Sequence, residues 1–260
     1  MADCHPLGTS VNRFVFVLAL GFFCTAHCQA QTDTKLIRLA TLEWPPYNGL
    51  LLPQGGLSTH ITSVAAKAAG YRLLSASFEW ATAVQKGEKD PSFDGYFPEY
   101  YSQEREQACH LSKSIGNSVL GLATLRTSPI NFNAISDLAP YTLGIVDGYL
   151  NGETLDQAIQ AKRQPVEAGA SDAVNIQKLR AGKLRGIVVD KNVLRYTLSR
   201  TGGAEQITFN ARPIAELSLH VCFRRTPGGL QMRNAFDAAL QKQNLEQLEN
   251  NYFKMFPVVR

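Results

Sequence analysis

Extended apolar runs are nearly missing from this 260-residue chain. One stretch, FVFVLALGFFC at residues 14–24, is eleven residues long, well under the roughly twenty a helix needs to span a bilayer. Lysine and arginine form no block, although they outnumber the acids to give a formal charge of +4. A basic stripe for nucleic acid is therefore not expected. Histidine is sparse too: after residue 30 there are only His60, His110 and His220, at no spacing that pairs them on a metal. Motifs that announce common chemistries are absent, with no phosphate-loop Gly-Lys-Ser/Thr, Gly-x-Ser-x-Gly, His-Glu-x-x-His or Cys-x-x-Cys. No metal and no cofactor are expected. What remains is ordinary globular composition, 45% apolar and 18% charged, enough for one large domain or two small lobes.

The first thirty residues differ from the rest. Arg13 precedes the apolar run, and the small-residue segment TAHCQAQ follows it, the order of a secretory leader cleaved after Ala30 or Ala26. Neither Cys24 nor Cys28 follows a lipoprotein pattern, so a soluble exported protein is expected. Cys4, Cys24 and Cys28 would leave with residues 1–30, and Cys109 and Cys222 remain. In an oxidising compartment these two can form one bridge, or they can stay as buried free thiols that behave as small hydrophobes.

From Lys35 onward, short β-type runs alternate with helix-type runs, which predicts α/β architecture with largely parallel sheets. LIRLATLEW reads as a strand, and Leu57, Ile61, Val64, Ala65 and Ala68 fall at helical spacing before Gly70. YRLLSASFEW is a strand, ATAVQK a short helix ended by Gly87, and FDGYF opens the next strand. A second unit runs from YTLGIV through DGYLNG, QPVEAGA and LRGIVVD to a helix at KNVLRYTLSR. A strand LSLHVCFRR and two helices close the chain.

One stretch, FDGYFPEYYSQER at residues 93–105, concentrates aromatic rings and opposite charges where a strand should end. Ligands of open α/β sheets bind at such carboxyl ends. Arg105 offers a planar fork for a carboxylate, and Asp190, closing LRGIVVD, can accept from an ammonium. Both also have plain structural readings, Arg105 in a surface ion pair and Asp190 as a helix cap. Glu43 and Glu99 are the acids best placed for acid–base work, against the reading that they are solvated or ion-paired.

Taken in order, LATLEWPPYNG, GGLSTHITSVAAKAAGY, FDGYFPEYYSQER, LGIVDGYLNG, LRAGKLRGIVVD and RNAFDAALQKQNLEQLENNYF resemble the family 3 bacterial extracellular solute-binding proteins. The resemblance covers the chain from Lys35 and implies a type 2 periplasmic binding protein architecture, two Rossmann-like lobes joined by a two-strand hinge. Lobe one would be residues 31–116 and 221–260, lobe two residues 117–220. It further implies that Arg105 holds a ligand carboxylate, that Asp190 takes an ammonium and that Trp44 or Tyr47 covers the ligand. Family topology would make Cys109 and Cys222 neighbours. DGYLNG lacks the hydroxyl residue usual on the second-lobe turn, and FPEYY replaces a small Ser-rich segment. Both departures point away from a standard amino acid and toward a pocket walled by Tyr96, Tyr100, Tyr101 and Tyr149, with Glu99 as an extra acceptor.

The expected function is a periplasmic receptor, a monomer that captures a small polar, amino-acid-like ligand for an ABC permease or a sensor in the inner membrane. The alternatives are an enzyme of dehydratase type on the same scaffold and an exported protein that binds a partner through its tyrosine-rich face.

Overall fold

The computed structural model describes residues 35–256; the expected leader at residues 1–30 lies outside them. The chain first builds β1 (Lys35–Thr41), α1 (Leu57–Ala68), β2 (Tyr71–Ser77), α2 (Trp80–Lys89), β3 (Gly95–Tyr100), α3 (Gln103–Ala108) and β4 (His110–Leu111). It then builds β5 (Gly116–Leu125), β6 (Leu143–Val146), α4 (Glu153–Gln160), β7 (Val166–Gly169), α5 (Asp172–Arg180), β8 (Gly186–Asp190) and α6 (Lys191–Thr201). The long β9 (Ile207–Phe223) leads back, and α7 (Pro227–Leu240) and α8 (Leu245–Met255) pack on α1.

One continuous sheet runs in the order β2-β1-β3-β9-β5-β8-β6-β7, with β4 pairing β9 beside it. At one end β1 lies parallel to β2 and β3, and at the other β6 lies parallel to β7 and β8. Between them β9 and β5 pair antiparallel from Gly116↔Leu219 to Leu125↔Ile207. The chain thus passes between the halves of the sheet twice, at residues 111–116 and along β9. Each half follows the periods of its sequence: Leu57, Ile61 and Ala65 turn one stripe of α1 into the core, and all five residues of β8 are buried, as in a sheet covered on both faces.

The sheet is not largely parallel as expected, because β9 pairs antiparallel with β3, β4 and β5 and β5 pairs antiparallel with β8, and two elements also depart from the sequence expectation. The helix at ATAVQK begins at Trp80, one residue inside the expected strand, and continues through Gly87. A Cβ at Gly87 would overlap the ring of Tyr96, so glycine here permits close helix–strand packing instead of ending the helix. The last strand begins at Ile207, ten residues before the expected Leu217. Pro213 would ordinarily interrupt it, but the register shifts on both sides of Gly121↔Pro213, and at such a bulge no N–H is required. Cys109 and Cys222 are joined by a disulfide with Cα atoms 5.6 Å apart, both buried beneath α3 and β4.

Candidate functional site

The site gathers where parallel strands end: Tyr96, Glu99 and Tyr100 lie in β3, Asp190 closes β8, and Trp44, Trp80, Tyr149 and Asp172 follow β1, β2, β6 and β7. After β1, Trp44 and Asn48 close a tight turn through reciprocal backbone bonds of 2.9 and 3.0 Å. The turn contains Pro45-Pro46 and stacks the Trp44 and Tyr47 rings at 4.4 Å. Its far side is tied to the first turn of α1 by Leu57 N–H to Pro46 O and Ser58 N–H to Tyr47 O. That second bond requires close approach: Gly56 has φ +98°, and a Cβ there would overlap the Tyr47 carbonyl.

In β3 all six residues are buried, and the register against β9 shifts between Tyr96 and Glu99, around Phe97-Pro98. The bulge turns Glu99 inward, where a regular two-residue alternation would not place it. Glu99 Oε1 accepts from the Tyr100 amide at 2.8 Å; Oε2 accepts from Tyr96 OH at 3.2 Å and pairs with Arg105 Nε at 2.9 Å. Burial pushes its carboxyl up to about 7 against the pull of Arg105. Arg105 reaches Glu88 as well, at 3.7 Å.

The second half contributes three groups. On the DGYLNG turn Gly148, with φ +73°, presents its carbonyl to Trp80 Nε1 at 3.2 Å, and Tyr149 lies between the tryptophans, 6.5 Å from Trp44 and 6.1 Å from Trp80. Asp172, at the start of α5, accepts from Trp44 Nε1 at 3.2 Å. Asp190 caps α6 through Oδ1, which accepts from the amides of Asn192 and Val193 at 2.7 and 2.9 Å. Its Oδ2 accepts from Ser118 Oγ at 2.6 Å and Tyr47 OH at 3.1 Å. Burial pushes Asp172 up to about 7, with the Asp190 charge adding to it, and burial likewise raises Asp190. Trp44, Tyr47 and Trp80 thus bind directly across the division between the halves.

Between these groups lies a cavity of about 20 Å³, lined by Leu42, Trp44, Trp80, Pro98, Glu99, Tyr100, Tyr149, Leu150 and Leu219. That is room for about one water-sized group. A groove of about 750 Å³ adjoins it across Trp44, Trp80 and Tyr149, with Glu43, Glu79 and Asp172 on its walls. Of the residues expected from the sequence, Trp44, Glu99, Tyr100 and Tyr149 line these spaces, while Tyr47, Tyr96 and Asp190 line neither and stand behind them, Tyr47 stacked on Trp44 and bonded to Asp190, Tyr96 bonded to Glu99. Arg105 lines neither space and stands on the far side of its bond to Glu99. Tyr101 is half exposed and bonded to Glu106, away from the cavity, because the chain leaves β3 at that residue. Trp80 and Asp172 join the site with no signal in the sequence beyond their places just after β2 and β7, as Trp44 stands after β1. Among the described residues no group of three His, Cys, Asp or Glu side chains is arranged to hold a metal ion, and no helix is long and apolar enough to cross a membrane.

No family model and no curated protein matches the chain. Many solved structures do match in fold. A histidine kinase sensor domain with similarity to periplasmic binding proteins is 17% identical with a TM-score of 0.72, over 85% of this chain and 97% of that one. An ancestral arginine-binding protein bound to arginine is 12% identical with a TM-score of 0.71, over 85% and 97%. An amino acid ABC transporter substrate-binding protein from Streptococcus pneumoniae, bound to L-arginine, is 14% identical with a TM-score of 0.67, over 86% and 96%. With its two parallel half-sheets, its paired β5 and β9 and these likenesses, the chain has the type 2 periplasmic binding protein fold.

Proposed function

We propose that this protein is an exported solute receptor whose two halves close over a small ligand. Lobe one is residues 31–116 and 221–260, lobe two residues 117–220, and the paired β5 and β9 region is the hinge. The observation that carries the reading is the set of bonds across the cleft, Trp44 to Asp172, Tyr47 to Asp190 and Trp80 to Gly148. These groups can meet only when the halves are together, and a ligand that touches both halves favours that state over the open one. The ligand set is Trp44, Glu99, Tyr100 and Tyr149, with Tyr47, Tyr96 and Asp190 behind them and Arg105 acting through Glu99. The acceptor of the loaded receptor is an importer or a sensor in the inner membrane, the two roles that the names of the fold relatives carry.

A ligand at a hundred times its dissociation constant stabilises a folded receptor by about 2.7 kcal/mol. A thermal-shift screen of small polar compounds should therefore find binders, and product analysis should recover them unchanged. Glu99, buried at a cavity wall with its carboxyl near 7, favours one second reading, acid–base catalysis on a bound substrate. Conversion of a binder by wild type but not by Glu99→Gln would select that reading.

A further inference from the structure

We propose that the ligand of this cleft is an organic cation that carries no carboxylate, its charged head in the groove beside Asp172 and the rings of Trp44, Trp80 and Tyr149 that the groove shares with the cavity. This rests on the receptor reading above and goes further by naming the class of ligand. Four aromatic rings line the cavity, Trp44, Trp80, Tyr100 and Tyr149. Along the series Tyr100, Trp44, Tyr149, Trp80 each ring stands within seven degrees of perpendicular to the next, with interplanar angles of 83°, 85° and 87°. The faces of such rings are negative and attract an ammonium or guanidinium.

The charges agree with the rings. Glu99 lines the cavity, and Glu43, Glu79 and Asp172 line the groove; among the described residues no lysine or arginine lines either space. Neither Asp172 nor Asp190 has a cationic partner in any of the ion pairs between described residues. Their oxygens are held by Trp44, Tyr47, Ser118 and backbone amides, all neutral donors, so neither buried acid has a compensating positive charge, and of the two it is Asp172 that lines the groove. Burial raises the carboxyls of both, and a cation seated beside Asp172 would favour its ionised form. The guanidinium that would hold a ligand carboxylate, Arg105, is already bound to Glu99 and Glu88. At the start of α5, where an anion would meet free amides, Asp172 supplies a carboxylate of the chain's own. The groove's other wall is apolar: Leu50 and Leu51 stand 76% and 99% exposed at its edge, suited to the hydrocarbon part of such a cation.

The test uses pairs that differ by one carboxylate: agmatine against arginine, and choline against glycine betaine. Trp44 and Trp80 are the only tryptophans in the chain, so intrinsic fluorescence reports the cavity itself, and calorimetry on the same samples gives affinity. The expected result is that the member without a carboxylate binds at least tenfold tighter in a pair that binds. Asp172→Asn should weaken it at least tenfold, and Glu99→Gln should weaken it too. Tighter binding of arginine or glycine betaine overturns the cation assignment and leaves the receptor reading standing. Failure of all four compounds to perturb the tryptophans overturns the assignment as well. The receptor reading falls separately, if the wider screen of polar compounds also finds no binder.

Discussion

Asp190 illustrates how one carboxylate serves fold and site together. Its four hydrogen bonds cap α6 and tie Tyr47 of the first half to Ser118 of the second. Loss of an N-cap alone costs about 1–2 kcal/mol, and the abandoned hydroxyls add to that. Asp190→Ala should therefore lower Tm, and at about 2–4 °C per kcal/mol for a chain of this size the drop should reach several degrees. Asp190→Asn, which keeps an acceptor for the cap, should lose less; equal melting of the two variants would mean that the cap does not matter. Asp172 makes a pH prediction. Its folded value, about 7, lies above the ordinary 3.8. The stability that the protonated group contributes is thus present below about pH 4 and is lost as pH rises through 7. His60, His110 and His220, all held below their ordinary value by burial, tilt stability the other way. The difference between wild type and Asp172→Asn isolates the acid. Melting followed from pH 4 to 8 should show the variant gaining on wild type, and a constant gap would remove Asp172 from the titration.

At the scale of elements, the loop between β1 and α1 is a rigid mount for Trp44 and Tyr47. A side chain at Gly56 would both force a positive φ and push into the Tyr47 carbonyl. Gly56→Ala should cost on the order of 1–3 kcal/mol and weaken ligand binding by displacing the stacked rings, measured by melting and titration side by side. The disulfide bears on a different region. Cys109 and Cys222 lie 113 residues apart in sequence, and closing a loop of that length restricts the unfolded chain by roughly 4–5 kcal/mol in the entropic account. Reduction should lower Tm clearly in urea or heat, whereas an unchanged midpoint would show that the bridge is not formed in solution. Most of these elements are legible in the sequence, because the periodicity of α1, the apolar β8 and the cap at Asp190 are local signals. The inward turn of Glu99 is not, since it depends on a register shift against a strand more than a hundred residues away. Nor is the pairing of Trp44 with Asp172, which needs both halves of the sheet in place. Arg105 shows the same limit: the family resemblance implies a ligand contact and its position alone allows an ion pair equally, while the partner it takes, Glu99, is set by the β3 bulge.

For the whole molecule, the contacts between the halves run through side chains on loops and strand ends, by hydrogen bonds and by the rings of Trp44, Trp80 and Tyr149, while β5 and β9 form the continuous link. Such an arrangement lets the halves separate by small backbone changes in the connecting strands, at a cost that a ligand touching both can offset. A ligand held by one half alone would shift nothing. Small-angle X-ray scattering of the protein, with and without a saturating binder from the screen, measures this directly. The account predicts a larger radius of gyration without ligand and a smaller one, matching the closed structure, with ligand bound. The same radius in both samples, while the binder still changes tryptophan emission, would contradict closure as the basis of its function.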